Sequence, residues 1–229
     1  YILILNSYNE SSPWSNSITT PIVHKIAGIE NMDAYIEHLN LFMVGDSTKI
    51  ERFSEILSSK YGSTPPRLLV FIGSMSLIFR EEIQSLWGKV PAIVCGADPY
   101  VYHEKFYRQR DTVTPEEKTH MSELAEEFNF TYMHTPIYLE ENVQLMCRMI
   151  PGMKKLIFLG DGIYPNPEYD KQLRELIKDK YPQMDYEYIS SRTNSLHQLY
   201  NAVRKTDKTT GILVSTWFTE SFTSSNFLI

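Results

Sequence analysis

The sequence predicts an α/β fold with two Rossmann-like lobes, each built on a parallel sheet. Short apolar runs alternate with segments of helical periodicity, and such repeated strand–helix units favour parallel sheets with helices on both faces. The alternation lapses from Pro99 to about Pro136 and then resumes, which indicates two lobes. We therefore divide the chain into an N-terminal lobe (1–98), an insertion or crossover (99–136) and a C-terminal lobe (137–229).

The N-terminal lobe has four predicted strands separated by helices. The apolar run Leu68–Ile72 is typical of a central parallel strand that is buried on both faces. A helix opens at Thr48, with Glu51 in capping-box position. Pro21 interrupts the first predicted helix. In chain order the elements are a strand at Ile2–Leu5, a helix near Asn16–Ala27, a strand at Ala34–Phe42, the helix from Thr48, the strand Leu68–Ile72, a helix at Leu77–Trp87 and a strand at Ala92–Cys95.

The middle stretch has no convincing strand. Thr114 followed by Pro115 and Glu117 is typical of a helix start, because Thr caps, Pro suits the first position and Glu the third. The apolar face of that helix consists of Met121, Leu124, Ala125 and Phe128.

The C-terminal lobe repeats the alternation. Lys155–Leu159 reads as another buried strand, whereas Met184–Ile189 alternates with polar residues and is predicted nearer an edge. Ser195 with Gln198 forms a second capping-box pattern. The other elements are a helix with the stripe Val143, Met146, Cys147 and Ile150, a helix that begins at Asn166-Pro167, and a last strand at Gly211–Val214.

Composition and motifs exclude several classes of function. The chain has 22 Lys and Arg residues and 28 Asp and Glu residues, which gives a net charge of −6. It has no cluster of basic residues, so we expect no nucleic-acid partner, because phosphate contacts need concentrated positive charge. Cys95 and Cys147 form no CxxC pair and the six histidines are scattered, so we expect no metal site. No G-x-G-x-x-G, Walker A or nucleophile-elbow motif occurs, so we expect no catalytic residue and no cofactor. No apolar run approaches the roughly 20 residues that span a bilayer.

The loops after the predicted strands contain the candidate ligand-binding residues, because ligands of such sheets bind beyond the carboxyl ends of the strands. Aromatic faces and hydroxyls there suit a sugar or nucleoside, and Arg192 would suit the carboxylate of an organic acid. Some of these residues also have a purely structural interpretation: Trp14 would pack its loop onto the helix, Asp98 would form a turn, and Arg192 would lie on the surface. The candidates are Ser7, Tyr8, Trp14, Ser74, Asp98, Tyr100, Asp161, Tyr164, Arg192 and Trp217.

Four segments carry a resemblance to a known family: Ile2–Tyr8 with Pro13-Trp14, Arg67–Phe71, Val90–Asp98, and Leu139–Asn142 leading into Lys154–Asp161. The chain resembles the extracytoplasmic sensor domains of bacterial histidine kinases that share the type 1 periplasmic-binding-protein fold. Those domains are related to the substrate-binding components of ABC transporters. The resemblance implies a two-lobed receptor, on the periplasmic side of the inner membrane, that closes on a small ligand and signals to a kinase. It also implies membrane attachment through segments outside this chain, and a possible homodimer.

Two features depart from that family. The segment after Asp98 is longer, and its Tyr100, Tyr102, Phe106 and Tyr107 would either cover the cleft or form a dimer contact. The chain starts within a predicted core strand and stops soon after the last one, so we expect a trimmed start and an incomplete second lobe. Two alternatives stay open: a free solute-binding protein of an ABC transporter, and a flavodoxin-like or hydrolase-like enzyme, against which the missing nucleophile–base motif counts.

Overall fold

The computed structural model describes residues 1–41, 47–62, 64–102, 118–162 and 165–217. The chain forms two compact units, Tyr1–Pro136 and Ile137–Ile229. Each unit has a parallel sheet packed against helices. The predicted α/β class with parallel sheets is confirmed.

The first unit is built on a five-stranded parallel sheet with the order β2-β1-β3-β4-β7. Its elements are β1 (Ile2–Asn6), α1 (Pro13–Ala27), β2 (Ala34–His38), α2 (Ser47–Tyr61), β3 (Leu68–Ile72), a 3₁₀ helix (Ser74–Phe79), α3 (Arg80–Trp87), β4 (Ala92–Ala97), β5 (Tyr100–Tyr102), β6 (Lys118–His120), α4 (Met121–Phe128) and β7 (Phe130–His134).

Alternation along β1 explains why this strand is central. Leu3 and Leu5 pack into one apolar cluster, and Ile2 and Ile4 pack into a second one. Successive side chains of a strand point to opposite faces, so both faces of β1 are covered, as a parallel sheet requires. The continuous apolar sequence at β1 and β3 therefore predicted both strands correctly.

Two predicted helices have different boundaries in the structure. α1 begins at Pro13, earlier than expected, and Pro21 lies inside the helix without ending it. The predicted helix Leu77–Trp87 is split into a 3₁₀ turn and α3, which meet at Arg80.

The absence of strands between Pro99 and Pro136 was a wrong prediction. β7 pairs in parallel with β4 at the edge of the first sheet, and β5 pairs antiparallel with β6. β7 has only Phe130 fully buried, and β5 and β6 are three residues long, so none of them has the apolar run of a central strand. Thr114, Phe106 and Tyr107 lie outside the described residues. The helix predicted from Thr114 onward begins only at Met121, because Lys118–His120 form β6.

The second unit has a three-stranded parallel sheet with the order β10-β8-β9. Leu156 and Phe158 of the central strand pack toward the helices Leu139–Met149 and Asn166–Lys180. Ile157 and Leu159 of the same strand pack toward the helix Leu196–Arg204. β9 is an edge strand, as its polar alternation predicted. The elements are α5 (Leu139–Met149), β8 (Lys155–Gly160), α6 (Asn166–Lys180), β9 (Asp185–Ser190), α7 (Leu196–Arg204) and β10 (Thr210–Val214).

The two units share one strand arrangement despite their different sequences. In each, the first strand of the sheet lies between the second and the third, so the order reverses at β1/β3 and at β8/β10. Such reversal points are where open α/β sheets bind ligands, beyond the carboxyl ends of the strands. Within the described ranges, no helix has both the length and the apolar character that a bilayer crossing needs.

The capping box at the start of α7 supplies a stability test. Ser195 Oγ accepts a hydrogen bond from the Gln198 amide at 3.3 Å, and Gln198 Oε1 accepts one from the Ser195 amide at 2.7 Å. Ser195→Ala removes the first bond and should lower the free energy of unfolding by about 1 kcal/mol. Urea unfolding followed by circular dichroism measures this loss. Ser195→Thr keeps the acceptor and is the control; equal losses in both variants would contradict the role of the cap.

Candidate functional site

The loops after β1 and β3 are joined by a buried serine. The Ser7 hydroxyl donates to the carbonyl of Gly73 at 3.2 Å and accepts from the Ser76 amide at 2.9 Å. Ser7 is fully buried, so its hydroxyl spans the reversal point between the two strands. Ser7 was predicted to bind ligand, and the structure gives it a supporting contact between these loops.

Asn6, the last residue of β1, positions the next part of the site. It is fully buried. Its Oδ1 accepts a hydrogen bond from the Tyr8 amide at 3.0 Å, and its Nδ2 donates to Ser15 Oγ in α1 at 3.2 Å. Asn6 thus holds the Tyr8 backbone and the first turn of α1 together. Asn6 is not among the predicted ligand contacts, although a polar residue at the end of an otherwise apolar strand was a signal.

Two aromatic rings lie side by side above the end of β4. The ring centroids of Tyr8 and Trp14 are 5.0 Å apart, with 58° between the ring planes. A Cβ added at Gly96 would lie 2.7 Å from Trp14 Cζ2, so the indole rests directly on the backbone of β4. Gly96 has φ +68° and lies where the register between β4 and β7 shifts. Trp14 both packs against the strand and keeps 41% of its surface exposed.

Asp98 is an acidic residue that follows β4 at this edge of the sheet. Its Oδ2 accepts a hydrogen bond from the buried Ser74 hydroxyl at 2.8 Å. Burial raises the pKa of Asp98, while the Ser74 bond and nearby His134 act in the opposite direction. Burial also raises the pKa of Tyr8, and the charge of Asp98 adds to that shift. Asp98, Tyr8, Trp14 and Ser74 are therefore brought together, and we call these four residues the acidic–aromatic group.

Tyr100, a further predicted ligand contact, has its described contacts on the neighbouring hairpin. Its ring packs edge-on against His120 at 5.3 Å, and Lys118 Nζ lies 4.4 Å from the ring centroid. These contacts hold β5 on β6. A ligand-binding role for Tyr100 stays a prediction.

In the second unit, a buried polar network occupies the reversal point between β8 and β10. Asn166 Nδ2 donates to Asp161 Oδ1 at 2.7 Å and to Thr216 Oγ1 at 2.8 Å, and Thr216 Oγ1 donates to Asp161 Oδ2 at 2.7 Å. The Tyr188 hydroxyl donates to the Asp161 carbonyl at 2.6 Å. Asp161, predicted to bind ligand, is only 2% exposed, so its carboxylate oxygens join the loops after β8 and β10. Asn166 and Thr216, which complete this network, are not among the residues predicted from sequence to form the site.

Arg192 and Trp217 lie near the same end of the second sheet. The aliphatic part of Arg192 packs over Gly162, where an added Cβ would lie 2.6 Å from Arg192 Cβ. Arg192 is exposed and forms no ion pair with another described residue. Trp217 packs on the apolar cluster beside α7, and its buried Nε1 has no hydrogen-bond partner among the described residues. Tyr164, the remaining predicted contact, lies outside the described residues.

Within the described part of the chain, no group of three or more His, Cys, Asp or Glu residues could hold a metal ion.

Comparisons with known proteins bear on the fold. No protein-family model and no curated protein matches the chain. A ligand-free, open substrate-binding protein with adhesive properties from Clostridium difficile matches 89% of this chain with a TM-score of 0.52 and 11% identity. The ABC domain from Streptococcus pneumonia in complex with L-Trp matches 96% of it with a TM-score of 0.54 and 18% identity.

These likenesses support the expected fold: the chain shares its fold with a substrate-binding protein, and it has two α/β units on parallel sheets. The chain spans 60% and 66% of the lengths of the two matched proteins. The first of them is described as a substrate-binding protein, and the second holds L-Trp.

Proposed function

We propose that this chain binds a small molecule at the carboxyl ends of its strands, as the extracytoplasmic sensing domain of a membrane histidine kinase. One observation carries the binding proposal: the acidic–aromatic group at the reversal point of the first sheet. The core does not require a half-buried carboxylate there, or an indole that keeps 41% of its surface exposed. Pockets for small molecules combine aromatic faces with a few fixed polar groups in this way.

The signalling part of the proposal follows from the resemblance to kinase sensor domains. In it, Arg192 and Trp217 of the second unit also contact the ligand, and hinge closure of the two units is the signal. A ligand can drive such a change only by binding the closed state better than the open state. The proposal places the domain on the periplasmic side of the inner membrane, anchored by segments outside this chain, and includes pairing into a homodimer.

A free solute-binding protein of an ABC transporter is the second candidate. It is favoured by the likeness to a protein described as substrate-binding. A transmembrane helix and a kinase domain in the same gene, with ligand-dependent autophosphorylation in membrane vesicles, would support the sensor. A gene that encodes only a secreted binding protein would support the transporter component.

A thermal-shift screen tests the binding proposal. The compounds are sugars, nucleosides and organic acids, with amino acids added because one matched structure holds L-Trp. A ligand at 100 times its Kd should raise the free energy of unfolding by about 2.7 kcal/mol, and the melting temperature with it. Trp14→Ala, Asp98→Asn and Trp217→Ala should each reduce the ligand-induced shift.

The control for Trp14→Ala is Tyr200→Ala, which removes another exposed aromatic side chain, on α7. It should leave the ligand-induced shift unchanged. A screen in which no compound raises the melting temperature would contradict the binding proposal. A shift that survives all three site substitutions would contradict the assignment of the site.

A further inference from the structure

We infer that the ligand carries a protonated amine, which the acidic–aromatic group of the first unit holds between the Asp98 carboxylate and the faces of Tyr8 and Trp14. This inference rests on the proposed function and narrows its ligand class. It favours amines and amino acids over the organic acids and neutral sugars that the loop composition alone allows.

The charge at this edge of the sheet is the first argument. The loops after β1, β3 and β4, at residues 7–12, 73–76 and 98–99, contain Glu10 and Asp98 but no Lys or Arg. The imidazoles at the ends of neighbouring strands are His38 and His134, and His38 Nδ1 already contacts Asn6 Nδ2 at 3.3 Å. An anionic ligand in contact with Asp98 would face like charge, which disfavours binding, whereas a cation there meets the opposite charge.

The hydrogen bonds of Asp98 are the second argument. Ser74 donates to Oδ2, and no described residue donates a hydrogen bond to Oδ1. Oδ1 is therefore open to a donor from a ligand, and the partial burial of the carboxylate raises its pKa. An ammonium group would supply both a donor for Oδ1 and the opposite charge.

The aromatic rings are the third argument. The tilted rings of Tyr8 and Trp14 lie 5.0 Å apart, and Trp14 is held in place by its contact with Gly96. Aromatic faces attract ammonium groups through the negative potential of the ring, with Trp the most effective. Aromatic rings beside a carboxylate thus form a site for a ligand that has an ammonium group attached to an apolar part.

Isothermal titration calorimetry of the full chain with matched pairs of probes separates the effect of the probe's charge on affinity from the effect of its shape. The pairs are tyramine against tyrosol, L-tryptophan against indolepropionate, and putrescine against butanediol, with glucose as a neutral sugar. The inference predicts that at least one amine binds, and that its analogue without the amino group binds about 30-fold more weakly or not at all.

Asp98→Asn keeps the shape and an acceptor for Ser74 but removes the charge. It should weaken amine binding by about 30-fold. Asp185→Asn, at an exposed position that starts β9, is the control and should leave binding unchanged. The melting temperature without ligand checks that Asp98→Asn is folded.

The outcomes distinguish the two proposals. If glucose, an acid or a deaminated analogue binds as tightly as the amines, or if Asp98→Asn leaves amine binding intact, the ammonium inference is overturned and the binding function stands. If neither these probes nor the sugars, nucleosides and organic acids of the screen bind, both are overturned.

Discussion

Gly96→Ala is expected to destabilise the first unit by about 2–4 kcal/mol. Two effects add. Gly96 has φ +68°, a conformation that costs an L-residue energy, and the new methyl group would lie 2.7 Å from Trp14 Cζ2 and closer still to Cη2. The indole must move, so the variant should also lose the ring pair of Tyr8 and Trp14 and bind ligand more weakly. Urea unfolding gives the stability, and calorimetry gives the affinity.

Gly62→Ala is the matched control for that substitution. Gly62 has φ +58°, but an added Cβ would meet nothing within 4 Å. Only the backbone cost of roughly 1–2 kcal/mol should therefore remain. Combining Gly96→Ala with Trp14→Ala should recover the part of the loss that is due to the clash. Equal losses for Gly96→Ala and Gly62→Ala would mean that the indole does not rest on β4.

Asn166→Ala is expected to cost the second unit about 2–4 kcal/mol. Asn166 is fully buried, and its amide donates to Asp161 Oδ1 at 2.7 Å and to Thr216 Oγ1 at 2.8 Å. Without it, the Asp161 carboxylate stays buried with one donor fewer, and the loops after β8 and β10 lose a link. The measurement is urea unfolding followed by Trp217 fluorescence, because that indole directly follows Thr216.

Asn201→Ala is the control in the same unit. Asn201 is half-buried on α7, and its side chain forms no hydrogen bond with another described residue. It should change the free energy of unfolding by less than about 0.5 kcal/mol. If Asn166→Ala proved no more destabilising than Asn201→Ala, the buried network would not hold the second unit together.

The central strands and the edge strands β2, β9 and β10 could be predicted from sequence, whereas β5, β6 and β7 could not. β1, β3 and β8 are covered on both faces, so their sequences are continuously apolar. β7 is largely exposed and lacks the continuous apolar run of a central strand, although Phe130, Thr131 and Tyr132 are residues that favour strands. Its place in the sheet follows from pairing with β4, which is a tertiary contact.

The loops that contain the candidate site could be predicted from sequence. The contacts among their residues, and hence which side chains join loops, could not. The rule that ligands bind at carboxyl ends selected the loops of Ser7, Ser74 and Asp98. Ser74 and Asp98 meet because β3 and β4 are parallel neighbours, which only the strand order reveals. The strand order also brings Ser7 next to the loop after β3 and Asp161 next to the loop after β10. The polar atoms of both residues therefore join loops within their own units.

A crystal structure of the chain with the compound that raises its melting temperature most is the most direct test of the binding site. The account predicts ligand atoms in van der Waals contact with Trp14 and Tyr8 and an ammonium group within hydrogen-bond distance of Asp98. A ligand bound elsewhere would contradict it, for example in the cavity of about 430 Å³ lined by Lys155, Glu187 and Lys205 in the second unit.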